Sequence, residues 1–137
     1  MKITLGYKGD EEYYAVNEQG NRIEIDMLPA DQKQAMSPMQ LLLAGLISCA
    51  AVDLVAMVKK RRKTLIDFSG EVDGTRREEI PKKYTDIAIT FIFTSPDLKE
   101  DEAQKLVNLA VEKYCSVSAS LDPSINLTHG VKIIRPE

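Results

Sequence analysis

Three side chains stand out for chemistry in this 137-residue chain: its two cysteines, Cys49 and Cys115, and its single histidine, His129. A thiolate is a nucleophile that oxidises to a sulfenic acid and then condenses with a second thiol, and an imidazole can serve as a general base near neutral pH. The cysteines lie 115 − 49 = 66 positions apart, and spacing alone leaves two readings open. Free cysteines are among the most buried side chains, which fits two inert core thiols. A pair brought together by the fold would instead support reversible disulfide chemistry. Two cysteines are too few for the disulfide framework of a small secreted domain. Nor do one His and two scattered Cys make a local CxxC or HExxH zinc cluster, so neither a metal nor another cofactor is expected.

The elements that must position these residues can be read from periodicity. With 44% hydrophobic and 28% charged residues the chain has the composition of a globular domain, and its length fits a single domain over residues 1–137. Its formal charge of −3 argues against a dedicated nucleic-acid binder, which needs a basic surplus to neutralise phosphates. The opening MKITLGYKGDEEYY lacks the apolar core and cleavage site of a signal peptide and reads as a strand, which places the chain in the cytoplasm. Ile3, Leu5 and Tyr7, then Tyr14 and Val16, then Ile23, Ile25 and Met27 recur at period two. They predict three strands, with a turn at Asn17–Asn21 between the second and third.

Ser37-Pro38-Met39-Gln40 is a helix start: Ser37 caps, Pro38 suits the first helical position, and Gln40 completes a capping box. From Met39 to Val58 the helix is apolar almost all round, then ends in the basic run Lys59–Lys63, which complements the macrodipole. This stretch approaches the ~20 apolar residues that a bilayer needs. Asp53 would be costly in lipid, however, and Ala44, Gly45, Ser48, Cys49, Ala51 and Ala56 suit a helix gripped by a sheet or by a second copy of itself. No membrane is therefore expected. Residues 65–76 and 84–94 alternate again as two long strands joined by an exposed, Pro81-containing link. A second helix opens on Glu100, Asp101 and Glu102 and carries an apolar stripe from Ala103 to Tyr114. Ser116 caps a short third helix, and Ile125–Ile134 form a last strand. The order βββ-α-ββ-αα-β indicates an α+β fold with a mostly antiparallel sheet around a long buried central helix.

Placed on these elements, the candidate residues acquire environments. Cys49 sits mid-helix, one turn before Asp53, where burial without a cationic partner should raise its pKa. Cys115 lies at a helix junction, where the free amides of the following helix should lower its pKa. Asp53, as a buried carboxylate, reads as structural, although an anion beside Cys49 would disfavour the thiolate. Glu112 precedes Cys115 by three residues, close enough to approach it on a helix. His129, in phase with Leu127, Val131 and Ile133, is either a satisfied core histidine or a general base near a thiol. Tyr114, beside Cys115, is the tyrosine best placed to line a pocket for an apolar substrate; core packing explains it equally well.

The wording around each cysteine adds a resemblance. Ser37-Pro38-Met39-Gln40-Leu41-Leu42-Leu43-Ala44-Gly45-Leu46-Ile47-Ser48-Cys49 resembles the first motif of the OsmC/Ohr family, in which a Pro opens a buried helix and a Cys follows at this distance. Ala110-Val111-Glu112-Lys113-Tyr114-Cys115-Ser116-Val117-Ser118 is similar to that family's second motif, a Cys before a Val-Ser that opens a short helix. The resemblance implies an intertwined homodimer whose sites are assembled from both subunits. It also implies a small organic hydroperoxide as substrate, Cys49 as the peroxidatic thiol, Cys115 as the resolving thiol, and an external dithiol as reductant. The chain departs from the peroxidase branches where they carry a Glu after the motif Pro, because that position is Met39 and its neighbour Gln40 is neutral. The early turn that supplies an Arg in the Ohr branch has Lys8 instead, and the nearest N-terminal arginine is Arg22. Arg22, Gln40, Asp53 and Tyr114 are therefore the candidate thiolate or substrate partners. The second functional reading is a non-catalytic binding protein of the same fold with inert cysteines.

Overall fold

In the computed structural model, which describes residues 1–137, the N-terminal alternation becomes an antiparallel meander of β1 (Ile3–Gly9), β2 (Glu12–Asn17) and β3 (Arg22–Asp26). The register sets Leu5 opposite Ala15 and Ala15 opposite Ile23, which gathers the apolar side chains on one face. On the other face the Tyr14 ring lies over Gly6 so closely that a β-carbon there would fall inside it. The Arg22 guanidinium lies over the same ring, 3.8 Å from its centroid.

The loop after β3 is tied down by Asp26, a buried carboxylate. It accepts from Lys33 Nζ at 2.6 Å and from the amides of Gln34 and Ala35 at 2.9 and 2.7 Å. The Lys33 ammonium, aided by the two amides, holds its pKa at about 2. A depressed carboxylate pKa stabilises the fold above the unfolded value of about 4 and loses that contribution as pH falls toward about 2. The stability difference between the parent and Asp26→Asn, read from urea midpoints, should therefore be constant above pH 5 and shrink between pH 4 and 2 (about these values). A difference independent of pH would contradict the buried ion pair.

Residues Met1–Leu42 form one compact unit and Leu43–Glu137 a second. The long helix α1 (Pro38–Lys60) starts in the first and continues through the second. Its start is the capping box that the sequence predicts, with the Ser37 amide donating to Gln40 Oε1 at 2.9 Å and the Gln40 amide to Ser37 Oγ at 3.4 Å. Along it, Leu46, Ala50, Leu54 and Val58 are fully buried; their spacing of four puts them on one stripe. The helix is thus not enclosed all round within one chain, since Val52 remains 72% exposed. A single sheet and a single neighbouring helix can cover only part of its circumference.

In the second unit β5 (Tyr84–Thr94) is the central strand, antiparallel to β4 (Asp67–Arg76) and parallel to β6 (Asn126–Ile134). The 95–125 segment supplies the long crossover that parallel pairing needs. Ile87, Ile89, Phe91 and Phe93 of β5 are buried. They pair with Gly74, Val72, Gly70 and Phe68 on one side and with Leu127, His129, Val131 and Ile133 on the other. Gly70 lets α1 approach this face, because a β-carbon there would stand 3.1 Å from Ile47 Cδ1.

The crossover holds α2 (Glu100–Leu109), a π-helical turn (Ala110–Tyr114) and α3 (Ser116–Ser120). The apolar stripe expected from Ala103 to Tyr114 holds for Ala103, Leu106, Val107, Ala110 and Val111, all buried. The wider π turn then shifts its phase. Tyr114 swings out to 51% exposure and Cys115 turns inward to 3%.

Candidate functional site

α1 and the junction between the π turn and α3 bring the two cysteines together. Both thiols are free, with Cys49 half-buried and Cys115 buried. Cys115 is the N-cap of α3: its Sγ accepts from the Ser118 amide at 3.3 Å and lies 3.9 Å from the Leu46 carbonyl oxygen. The Val117 amide foremost, with the Cys115 thiol and the Ser116 amide, acts on the Cys49 sulfur to favour its thiolate.

This arrangement reverses both expectations about acidity. The Val117 amide, helped by the Cys115 thiol and the Ser116 amide, lowers the Cys49 pKa despite partial burial and the opposing charge of Asp53. Burial foremost raises the Cys115 pKa, and its hydrogen bond to Cys49 adds to the effect. The error at sequence level was one of direction. The α3 amides of Ser118 and Val117 do act on Cys115, but burial outweighs them, while those of Val117 and Ser116 also favour the thiolate of the cysteine across the fold. Ser116 is not the cap either, since Cys115 takes that place. The environments thus push the two thiols apart, with the Cys49 pKa lowered and the Cys115 pKa raised.

Asp53 and Tyr114 share a groove of about 420 Å³, lined also by Met57, Lys60, Leu106 and Leu109. Its lining combines charged Asp53 and Lys60 with apolar Met57, Leu106 and Leu109. Because the Asp53 charge raises the Cys49 pKa, Asp53→Asn should lower it further and speed alkylation of Cys49 at neutral pH. Unchanged or slower labelling would contradict that electrostatic role. Gln40 and Arg22 belong to the first unit and have other partners: Gln40 caps α1, and Arg22 Nε donates to Glu24 at 2.6 Å beneath the Tyr14 contact. Glu112 does not turn to Cys115 but to His129 Nε2, at 3.3 Å, while His129 Nδ1 faces Gln104. His129 is thus a core histidine with two partners.

The profile of the family described as OsmC-like protein matches residues 30–130, a span that holds both cysteines. The chain belongs to the OsmC-like family. Among relatives of this OsmC-like chain, Protein YhfA of Escherichia coli K12 is 36% identical over 115 residues, 84% of each chain. The crystal structure of a hypothetical protein from Aquifex aeolicus VF5 is 29% identical, with a TM-score of 0.86 over 99% of this chain and 97% of that one. The organic hydroperoxide resistance protein OhrB of Bacillus subtilis shares the fold at 20% identity and a TM-score of 0.65, covering 96% and 98%. The α+β order read from the sequence is thus the OsmC-like fold. What the sequence reading of this OsmC-like chain missed is the pair of α3 amides on Cys49. The available signal was the short helix after Cys115, read correctly as a helix but not as a donor to the other thiol.

Proposed function

We propose that this OsmC-like protein reduces organic hydroperoxides through Cys49 and Cys115. The asymmetry of the pair supports the proposal: the Val117 amide foremost lowers the Cys49 pKa, and burial foremost raises that of Cys115. The Cys49 thiolate attacks the terminal oxygen of R–O–OH, the O–O bond breaks, and RO⁻ takes a proton to leave as ROH, with Cys49 oxidised to S–OH. The Cys115 sulfur then attacks the Cys49 sulfur, releasing water and forming the disulfide. An external dithiol reduces that disulfide and is itself oxidised to a disulfide. Backbone amides supply the thiolate stabilisation here, which is how the chemistry survives Met39 at the position of the family's Glu.

The setting we propose is the cytoplasm, with a homodimer as the working form and neither nucleic acid nor membrane as partner. Open apolar surface supports the dimer: Val52 on α1 and Ile3, Leu5 and Tyr7 on β1 are all more than half exposed. Sedimentation should give about twice the 15.3 kDa chain mass; a clean monomer would contradict it. The Asp53–Tyr114 groove favours a second reading, a small-molecule binder with inert thiols. Intact mass and free thiols, measured before and after brief stoichiometric exposure of the reduced protein to cumene hydroperoxide, separate the two. Loss of both thiols with loss of two hydrogens is the expected result, and persistence of both thiols would overturn it.

A further inference from the structure

Cys115 is delivered by an unusual piece of backbone. The π turn that precedes it, Ala110–Tyr114, is anchored on one side by buried Ala110 and Val111, while Glu112, Lys113 and Tyr114 face outward. The outward half is tied back by one chain of hydrogen bonds reaching three elements. On α2, Gln104 Nε2 donates to Asn108 Oδ1 at 2.9 Å and lies 3.4 Å from His129 Nδ1. On the other side of the ring, His129 Nε2 lies 3.3 Å from Glu112 Oε1. The post is rigid. His129 lies on β6 in register with Ile89 of the central strand, and its side chain is 10% exposed.

The geometry points to His129 and Glu112 as positioning residues that hold the π turn, and through it the Cys115 sulfur, against Cys49. Neither touches a thiol. Their effect is on the fraction of time Cys115 spends in bonding position, which sets how readily the pair closes. A displacement of about 1 Å in a reacting group lowers such a rate or equilibrium by an order of magnitude or more. The inference rests on the paired-thiol reading above but not on the identity of the oxidant.

The test uses oxidised glutathione, which takes the two thiol hydrogens and leaves as two glutathione thiols while the internal disulfide forms. Glu112 is exposed, with 68% side-chain accessibility, so Glu112→Ala can be made without opening the core. Glu112→Gln keeps an oxygen acceptor for His129 Nε2. Glu112→Ala should shift the equilibrium about tenfold toward the dithiol. Glu112→Gln should restore the parent's equilibrium. A merely stabilising role would lower the melting temperature of Glu112→Ala and leave the glutathione equilibrium alone. Glu112→Ala closing its disulfide as readily as the parent would overturn the inference, as would a parent that forms no internal disulfide at any glutathione ratio. A parent that closes with glutathione yet consumes no cumene hydroperoxide removes the peroxidase reading only, and the Glu112→Ala shift still decides the positioning role.

Discussion

Cys49→Ser should abolish hydroperoxide consumption, and Cys115→Ser should allow a single turnover that leaves Cys49 as a sulfenic acid. The two losses differ in kind because the sulfurs differ in environment. A serine hydroxyl at position 49 would still receive the Val117 and Ser116 amides, but its acidity is far too low to give a nucleophile at neutral pH. At position 115 a serine oxygen can still accept from the Ser118 amide and cap α3, so the fold and the Cys49 thiolate site persist while the resolving sulfur is gone. Excess hydroperoxide should then drive Cys49 on to sulfinic acid, which the parent escapes by closing its disulfide. Peroxide consumption together with a sulfenic-acid trap read by mass checks both variants. Equal consumption by the parent and both mutants would refute the assignment.

Phe93→Ala should cost about 3–5 kcal/mol of stability, a large part of the roughly 5–15 kcal/mol that a domain has in total. Phe93 is fully buried on the central strand, its ring centroid is 5.1 Å from that of Phe68, and its register partners are Phe68 and Ile133. Truncation leaves a cavity bordered by strands on both sides, where the ladders prevent collapse. The urea midpoint should fall steeply at an unchanged slope. A loss below about 1 kcal/mol would mean that this face of the sheet is not packed as described.

Much of the fold was legible because its determinants are local. Period-two alternation marks β1 through β6, and Ser37, Pro38 and Gln40 announce α1 through a cap that needs only neighbouring residues. The parallel pairing of β6 was not legible, since strand direction depends on where the crossover returns. The π turn was missed for a related reason. The stripe from Ala103 to Val111 fits an ordinary helix, and the turn is distinguished by packing that carries Cys115 inward and Tyr114 outward. At the site, the sequence marked the two cysteines but assigned their acidities the wrong way round. Tertiary geometry decides both shifts: burial outweighs the α3 amides at Cys115, and the amides of Ser116 and Val117 also act on Cys49, 67 and 68 positions earlier. The Glu112–His129 contact likewise joins residues 17 apart that no motif links.

The fold lowers the Cys49 pKa and raises that of Cys115. Limited alkylation of the reduced protein across a pH series, with each cysteine followed by peptide mass, tests this most directly. Cys49 should be labelled first, with its midpoint below that of Cys115, and Cys115 only at higher pH. Labelling of Cys115 ahead of Cys49, or equal midpoints for the two thiols, would contradict the account.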